Sequence, residues 1–309
     1  MSEDPSEPSR IFCTGQNVIR YSTNRVADCN WNSIQVQIDQ ATANLRAGVT
    51  VDPGNADRWF VAGGAGSSGN LNGGIWLTED GGENWTRVLG SNSTPETNPQ
   101  VYALIQHPDE PNLVVAASSR WMASGEAGVW ASASRGEAES YTRLLDDGDY
   151  TSAVPIICDG TPSVLVGGEA GMALVSIEGG SPKAVKLPWE HAAVTALGAC
   201  SQYAFAGTAE GDLYRVRLEY LTDEPLWTRL MGIGSEITAL ACSPHRTGEL
   251  YMGLIDNGIL HSSDSGATFF TFDAGLESSE RRIFHLMISA LGDRLYAGTL
   301  GGLAVRRLD

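Results

Sequence analysis

The chain has very few lysines and no long apolar run. Only two of its 309 residues are lysine, the other eighteen basic residues are arginine, and the formal net charge is −17. A negative field of this size repels phosphate groups, which argues against nucleic-acid binding. A stretch of about 18 consecutive apolar residues, as a membrane-spanning helix requires, does not occur. We therefore expect neither nucleic-acid binding nor membrane insertion.

The first residues also lack the features of a secretion signal. Residues 1–9 are polar and acidic, contain proline, and include no apolar segment. The sequence predicts a disordered tail over 1–9 and a single domain over 10–309. It predicts a cytoplasmic protein, or an extracellular or periplasmic one if a leader was removed.

Motifs for nucleotide, metal or acyl-transfer chemistry are missing as well. The chain has no Walker lysine, no H-E-x-x-H, no G-x-S-x-G and no C-x-x-C. Residues 64–69 match G-x-G-x-x-G, but a strand pattern follows them where a dinucleotide site needs a helix. We therefore predict no catalytic residue, no metal site and no cofactor.

Three of the five cysteines are evenly spaced. Cys158, Cys200 and Cys242 follow one another at intervals of 42 residues, each at the end of a short apolar run. This spacing predicts equivalent positions in successive repeats. We expect all three to be free, slowly reacting thiols.

Glycine and repetition are what the chain has in abundance. It contains 36 glycines, and six copies of one pattern follow each other with a period of roughly 40–50 residues. Each copy begins with a small apolar run, such as 101–108, 194–200 or 237–244, followed by a second, a third and usually a fourth strand pattern. Residues from 11 onward form a further, partial copy.

Four strands per repeat are typical of a β-propeller blade. The sequence therefore predicts an all-β protein that forms a single β-propeller of four-stranded blades. Seven blades are favoured and six stay open. We expect the ring to close between the N- and C-terminal strands, which would hide the edge strands.

Two stretches, 74–85 and 258–269, are nearly the same in pattern. Aligned without gaps, they place a hydroxyl, a carboxylate, a glycine and an aromatic at identical offsets: Thr78, Asp80, Gly82 and Trp85 in the first, and Ser262, Asp264, Gly266 and Phe269 in the second. These residue types predict a self-bonded turn between two strands, with the glycine at positive φ and the aromatic ring between neighbouring sheets.

This pattern resembles the Asp-box of the BNR-repeat β-propellers, which include sialidases, sortilin-type propellers and the propeller that assists photosystem II assembly. Asp80 and Asp264 do not predict a glycosidase pair, because the repeat places them in separate blades and catalytic carboxylates lie about 5–10 Å apart. The arginine cluster and Tyr–Glu pair of sialidases have no assignable counterpart. The resemblance therefore implies non-catalytic binding.

Propellers bind their ligands on the face formed by two kinds of loop, those between the second and third strands and those between successive blades. We expect the contact residues on that face to be Arg120, Trp121, Glu126, Trp189, Glu190, His191, Asp256, Asn257, Arg281 and Arg282. Exposed Trp and Arg are typical anchors of protein interfaces. The alternatives are that Trp121 and Trp189 only seal adjacent blades and that His191 is a plain surface residue.

The sequence thus favours a binding platform for a protein partner, within a larger assembly. A carbohydrate-binding or glycoside-hydrolase-like propeller is the alternative. An axial pocket with clustered acids and exposed tryptophans would favour sugar, whereas a broad apolar or charged face would favour protein.

Overall fold

Strands account for nearly all regular structure in the computed structural model. The structure describes residues 1–15, 18–27, 30–36, 43–45, 47–65, 73–91, 98–120, 126–200, 202–222 and 225–308. Within these ranges the strands form seven antiparallel sheets, and the only helices are two short 3₁₀ turns, Leu218–Tyr220 and Ser278–Arg281. The fold is a seven-bladed β-propeller, which confirms the favoured blade number.

The chain divides into two compact units. The first comprises residues 1–155, 162–166 and 173–185, and the second comprises residues 156–161, 167–172 and 186–309. The expected closure between the terminal strands concerns how the two units meet, and it stays a prediction.

The first unit contains three whole sheets. The first sheet is β1 (Ser2–Glu3), β2 (Ile11–Thr14), β3 (Val18–Ser22) and β4 (Asn32–Gln35). The second is β5 (Ala43–Asn44), β6 (Val49–Asp52), β7 (Asn55–Ala65), β8 (Gly74–Thr78) and β9 (Thr86–Leu89). The third is β10 (Val101–Gln106), β11 (Val114–Ser118), β12 (Gly128–Ser132) and β13 (Thr142–Leu145). The residues of the fourth sheet, β14 (Tyr150–Cys158), β15 (Thr161–Gly168), β16 (Gly171–Glu178) and β17 (Ser181–Leu187), are divided between the units.

The second unit contains the last three sheets. The fifth is β18 (Val194–Cys200), β19 (Tyr203–Thr208), β20 (Asp212–Arg217) and β21 (Thr228–Gly232). The sixth is β22 (Ile237–Cys242), β23 (Leu250–Leu254), β24 (Ile259–Ser262) and β25 (Phe270–Thr271). The seventh has three strands, β26 (Ile283–Ile288), β27 (Arg294–Thr299) and β28 (Gly302–Arg307).

Residues 1–9 are structured where the sequence indicated a disordered tail. Ser2 and Glu3 pair with Phe12 and Ile11 as the first strand of the first sheet. The Asp4 carboxylate is fully buried, and it accepts hydrogen bonds from the Ser6 backbone N–H at 2.9 Å and from the Arg10 guanidinium at 3.3 Å. These charge-assisted bonds order a segment whose composition alone gives no strand signal.

Glycines near the ends of the second strands allow the blades to pack closely. A methyl group on Gly207 would collide with Ile237 of the next first strand, and one on Gly253 would collide with Ile283 in the same way. Ile237 and Ile283 are themselves fully buried in the cores between sheets. The glycines that end the Phe-Ala-Gly and Tyr-Met-Gly runs are therefore needed for packing.

The expectation of three free thiols is wrong for two of them. Cys200 and Cys242 form a disulfide, with a Cα–Cα distance of 5.3 Å. As expected, they hold equivalent positions at the ends of β18 and β22. These matched positions allow the disulfide to form. Neighbouring first strands bring matched positions within the distance that a disulfide spans.

Cys158 is free and buried, as expected. Burial, assisted by the charge of Asp159, raises the pKa of its thiol to about 11. The thiolate is therefore scarce at neutral pH, which agrees with a slowly reacting thiol.

Candidate functional site

The two similar stretches fold as matching turns. Thr78 Oγ1 donates to Asp80 Oδ1 at 2.7 Å and accepts from the Gly82 backbone N–H at 2.9 Å. Asp80 also accepts from the backbone N–H of Asn84 at 2.9 Å and from its side-chain amide at 2.7 Å. Gly82 has φ +97°. Trp85 donates its indole N–H to the Gly82 carbonyl oxygen and packs against the core of its unit.

The second turn repeats these bonds. Ser262 Oγ donates to Asp264 Oδ1 at 2.8 Å and accepts from Gly266 N–H at 2.9 Å. Thr268 donates to Asp264 through its backbone N–H at 2.9 Å and its hydroxyl at 2.6 Å. Gly266 has φ +82°, and Phe269 packs against the core of the second unit.

Hydrogen bonds also set the acidity of both aspartates. Asn84, through its backbone and then its side chain, and Thr78 lower the pKa of Asp80 to about 2. The hydroxyl and backbone N–H of Thr268, followed by Ser262, lower the pKa of Asp264 to about 2. A carboxylate with this many local donors is held as a turn acceptor and is a poor general acid near neutral pH.

A third turn keeps the hydroxyl without the aspartate. Ser132 Oγ accepts from the backbone N–H groups of Ser134 at 3.0 Å and Gly136 at 3.1 Å. The bond from the glycine N–H to the hydroxyl is thus common to all three turns. Their shared role is to close the hairpin between the third and fourth strands.

The predicted contact residues lie in the two expected kinds of loop, at the other end of the strands from these turns. Arg120 and Glu126 lie between β11 and β12, and Trp121 falls outside the described residues. Trp189, Glu190 and His191 connect β17 to β18, Asp256 and Asn257 connect β23 to β24, and Arg281 and Arg282 precede β26.

Arg120 belongs to the first unit. Its backbone N–H donates to Asp149 Oδ1 at 2.8 Å, and its guanidinium lies 4.0 Å from the same oxygen. The loop after β11 is thereby tied to the connection that follows β13. Arg120 itself stays exposed at the surface.

Backbone hydrogen bonds join the loops of the second unit into one surface, which we call the loop face. It consists of residues 188–193, 209–211, 233–236, 255–258, 273–284 and 300–301, of which 283 and 284 begin β26. The bonds run from Ala209 N–H to Ala193 O, from Ile233 N–H to Gly211 O, from Ile255 N–H to Glu236 O, from Gly258 N–H to Arg281 O and from Leu300 N–H to Arg282 O. The structure therefore brings the predicted residues of this unit onto a common face.

Trp189 is a packing residue on this face. Its indole N–H donates to Ala192 O at 3.0 Å, and its ring makes edge contacts with Tyr214 and Trp227. His191 is exposed and stacks on Tyr214, with 4.3 Å between ring centroids. The sealing alternative thus describes the half-buried Trp189 well, whereas Pro188, Glu190 and His191 of this loop are exposed.

A second group on the loop face combines arginines with exposed apolar side chains. We call it the basic–apolar patch and define it as Arg281, Arg282, Phe284 and Leu300. Phe284 is 49% exposed and Leu300 is 61% exposed. Both arginines are also exposed.

Acidic neighbours hold the two arginines in place. Arg281 lies 3.2 Å from Asp273, and Arg282 lies 3.7 Å from Asp256. These ion pairs are largely exposed and contribute little to stability. The Arg282 carbonyl oxygen accepts a backbone hydrogen bond from Leu300, and Phe284 follows two residues later, so charged and apolar residues lie in one region, as on many protein-contact surfaces.

Sequence reasoning missed Phe284 and Leu300, although one signal was present for Phe284. The second residue of a first strand lies in a β-bulge in β18, β22 and β26. In β18 and β22 it is Thr195 or Thr238, whose hydroxyl donates to the next first strand at Ile237 O (2.7 Å) or Ile283 O (2.6 Å). A phenylalanine in place of this threonine distinguishes β26 from β18 and β22.

The described ranges contain neither a metal-binding cluster nor a membrane-spanning helix. No group of three or more His, Cys, Asp or Glu side chains there could hold a metal ion. In the same ranges, no helix has the length and apolar character needed to span a bilayer.

Comparisons with known proteins agree on the fold. The chain is similar to YCF48 from Cyanidioschyzon merolae, with 12% identity, a TM-score of 0.66, and coverage of 99% of this chain and 93% of that one. A structure of YCF48 bound to D1 peptide matches with 12% identity and a TM-score of 0.64, over 98% and 90% of the two chains. The GH74 enzyme of Niastella koreensis matches with 14% identity and a TM-score of 0.69, over 98% of this chain but only 51% of the enzyme.

These identities are low, so the likeness establishes the propeller fold alone. No protein-family model matches the sequence, and no curated protein matches it significantly.

Proposed function

We propose that this chain is a non-catalytic scaffold that binds a protein partner through the loop face of its second unit, as a subunit or assembly factor of a larger complex. The observation that carries the proposal is the basic–apolar patch. Phe284 and Leu300 expose apolar surface next to two arginines on loops fixed by backbone hydrogen bonds. Aromatic residues and arginine are enriched at protein interfaces, and arginine is among the residues that carry most of the binding energy.

The matched turns support a second part of the proposal, membership of the BNR/Asp-box propellers. The hydroxyl, aspartate and glycine bond in the same way at Thr78–Gly82 and Ser262–Gly266. On this proposal the turns are structural, and the contact residues lie at the opposite ends of the strands.

The carbohydrate alternative predicts a different arrangement. A sugar site on the loop face needs a free aromatic ring, but Trp189 is packed by Tyr214 and Trp227. The exposed, described residues of the face are charged, small polar or aliphatic, together with the rings of His191 and Phe284, and they include no tryptophan. This composition favours a protein partner.

The disulfide supports the extracellular or periplasmic alternative for location. Bonds such as Cys200–Cys242 persist in oxidising compartments and are rare in the cytosol. We therefore propose an oxidising environment in place of the cytoplasmic expectation.

Affinity capture from the native host, followed by mass spectrometry, tests the proposal. The expected result is a protein whose recovery is lost with Arg282→Glu and Phe284→Ala. It should be retained with Arg217→Glu, an exposed arginine on β20 that pairs with Glu219 away from the loop face. Turnover in a chromogenic-glycoside screen, lost on changing one carboxylate such as Asp256, would contradict it.

A further inference from the structure

The connection between the third and fourth strands of the fifth sheet differs from its counterparts. In three other sheets this connection is the hydroxyl-centred turn that starts at Thr78, Ser132 or Ser262. Between β20 and β21 the chain instead begins with the 3₁₀ turn Leu218–Tyr220. This connection borders a cavity of about 660 Å³, at the end of the strands opposite the loop face.

Hydrogen bonds and burial hold the 3₁₀ turn in place. The Leu218 backbone N–H donates to Gln202 O at 2.9 Å, and the Leu218 carbonyl oxygen accepts from Cys158 Sγ at 3.7 Å. Leu221, the next residue after the turn, is fully buried. The wall that this segment contributes to the cavity is therefore formed in the absence of a ligand, as in most small-molecule sites.

Among the described residues that line the cavity, the only charged ones are two arginines. The lining consists of Tyr203, Arg215, Val216, Arg217, Tyr220, Leu226 and Thr228. Arg215 Cζ lies 4.5 Å and Arg217 Cζ lies 5.8 Å from the centroid of the Tyr203 ring, so both guanidinium groups converge on one ring. In a chain with a net charge of −17, two converging arginines make this cavity locally attractive to an anion.

Both arginines keep donors for a ligand. Arg215 donates through Nη1 to Ser265 O at 2.7 Å, and Arg217 donates through Nη1 to Glu219 at 2.9 Å. A guanidinium group has five N–H donors, and its planar geometry suits a carboxylate. Glu219 is 56% exposed and lies outside the cavity lining, so it competes with an incoming anion for Arg217 without occupying the cavity.

Exposed apolar surface borders the two arginines. The Leu226 side chain is 80% exposed, and the Tyr220 ring is 56% exposed. Tyr203 and Tyr220 together with the planar guanidinium groups favour a flat partner, because aromatic rings stack on both kinds of group. The cavity volume also falls within the range of small-molecule sites, about 300–1,000 Å³.

We propose that this cavity binds a small molecule that carries a carboxylate on an aromatic body. The carboxylate would accept hydrogen bonds from Arg215 and Arg217. The aromatic body would lie against Tyr220 and Leu226. The arginines would thus select for the negative charge, and the apolar side chains would select for the ring.

This inference does not depend on partner binding at the loop face. The cavity and the loop face lie at opposite ends of the strands. Arg217→Glu should therefore leave partner capture intact while it weakens binding in the cavity, and a failure of either proposal leaves the other testable.

Isothermal titration calorimetry of the full chain with 2-naphthoate tests the proposal. Saturable binding of one molecule per chain is expected. The neutral analogue 2-naphthamide has nearly the same shape and should bind roughly tenfold more weakly or worse, because it cannot form charge-assisted bonds with the arginines. Hydrogen exchange should slow within residues 215–222 and 226–228 when 2-naphthoate is bound.

Four variants assign the binding to this cavity. Arg217→Glu should weaken 2-naphthoate binding roughly tenfold or more, because a negative charge replaces a donor. Glu219→Gln removes the competing carboxylate and should tighten binding roughly threefold. Leu226→Asn should weaken binding of 2-naphthoate and 2-naphthamide alike. Arg281→Gln changes an exposed arginine that is also paired with an acid, Asp273, but lies on the loop face, and it should change nothing.

The variants at Arg217 and Glu219 change exposed side chains, so folding does not limit the test. The proposal is overturned if 2-naphthoate does not bind, or if 2-naphthamide binds equally well. It is also overturned if Glu219→Gln fails to tighten binding, or if Arg281→Gln weakens binding as much as Arg217→Glu does. Slowed exchange confined to other segments would contradict it as well.

Discussion

Thr238 and Phe284 hold the same position in successive first strands, but only the threonine makes a side-chain hydrogen bond there. The Thr238 hydroxyl donates to Ile283 O at 2.6 Å, which links the sixth blade to the residue just before Phe284. Phe284 has no hydroxyl to continue the series, and its ring is 49% exposed. The hydrogen bond to β26 is therefore made at the residue next to the exposed Phe284 ring.

Removing the hydroxyl of this link should destabilise the fold. Thr238→Val leaves the Ile283 carbonyl without its side-chain donor and is expected to lower the free energy of unfolding by about 1–2 kcal/mol. Thr238→Ser keeps the hydroxyl and serves as the control. Urea unfolding measures both variants, and equal stability of the valine and serine variants would show that the bond is not needed.

The aspartates of the two matched turns should matter for stability and not for binding. Asp80→Ala and Asp264→Ala each remove an acceptor of several local donors, so each should lower the melting temperature. Asp256→Ala, a change at an exposed loop aspartate, is the stability control. A variant of either turn that melts normally but has lost partner binding would contradict the structural role.

The same aspartates predict a dependence of stability on pH. Their folded-state pKa of about 2 is below the ordinary 3.8. A lowered pKa means that the stabilisation is present above the ordinary value and is lost as the pH falls from about 4 to about 2. The Asp80→Ala and Asp264→Ala double variant should lose less stability over this range than the unchanged protein. Parallel stability curves for the two proteins would refute the assignment.

Much of the fold could be predicted because each blade repeats its own local signals. Small apolar runs specify the first strands, and glycines such as Gly207 and Gly253 end the second strands where the next blade packs. The turn residues follow from local bonding, since a hydroxyl and a carboxylate two residues apart can bond each other and accept from nearby N–H groups.

Features that depend on distances between repeats could not be predicted in the same way. The equal spacing of Cys200 and Cys242 showed that they are equivalent, but only the structure shows matched positions 5.3 Å apart. The strand at Ser2–Glu3 is too short and polar to give a pattern, and its order depends on the buried Asp4.

The positions of the candidate contact residues were predicted in part, and their role in binding stays a prediction. Loop residues on one face follow from strand order, which placed Arg281, Arg282 and Asp256 correctly on the loop face. The burial of Trp189 depends on contacts with Tyr214 and Trp227, which lie far from it in the sequence. The exposed fraction of Trp189 could therefore not be predicted from the sequence. Phe284 lies inside an apolar run. Such a run predicts a buried strand, so an exposed Phe284 side chain was not expected from this pattern.

Reduction of the disulfide should lower stability without changing the fold. Cys200→Ser with Cys242→Ser opens a link across 42 residues and is expected to cost about 2–4 kcal/mol. Mass spectrometry after thiol alkylation under native, non-reducing conditions should find Cys200 and Cys242 joined and Cys158 unmodified. Alkylation of Cys200 or Cys242 under those conditions would contradict the bond.

The most direct test of the central claim is crosslinking of the captured partner to the loop face in native extract. Crosslinks to the partner are expected around 255–258, 281–284 and 300–301. Phe284→Ala is expected to raise the Kd for the partner by roughly 30-fold or more, as for a central anchor worth about 2 kcal/mol, and so to lower its recovery strongly. The Arg217→Glu control should recover the partner normally. Crosslinks confined to other surfaces, together with unchanged recovery by Phe284→Ala, would contradict the loop face as the binding surface.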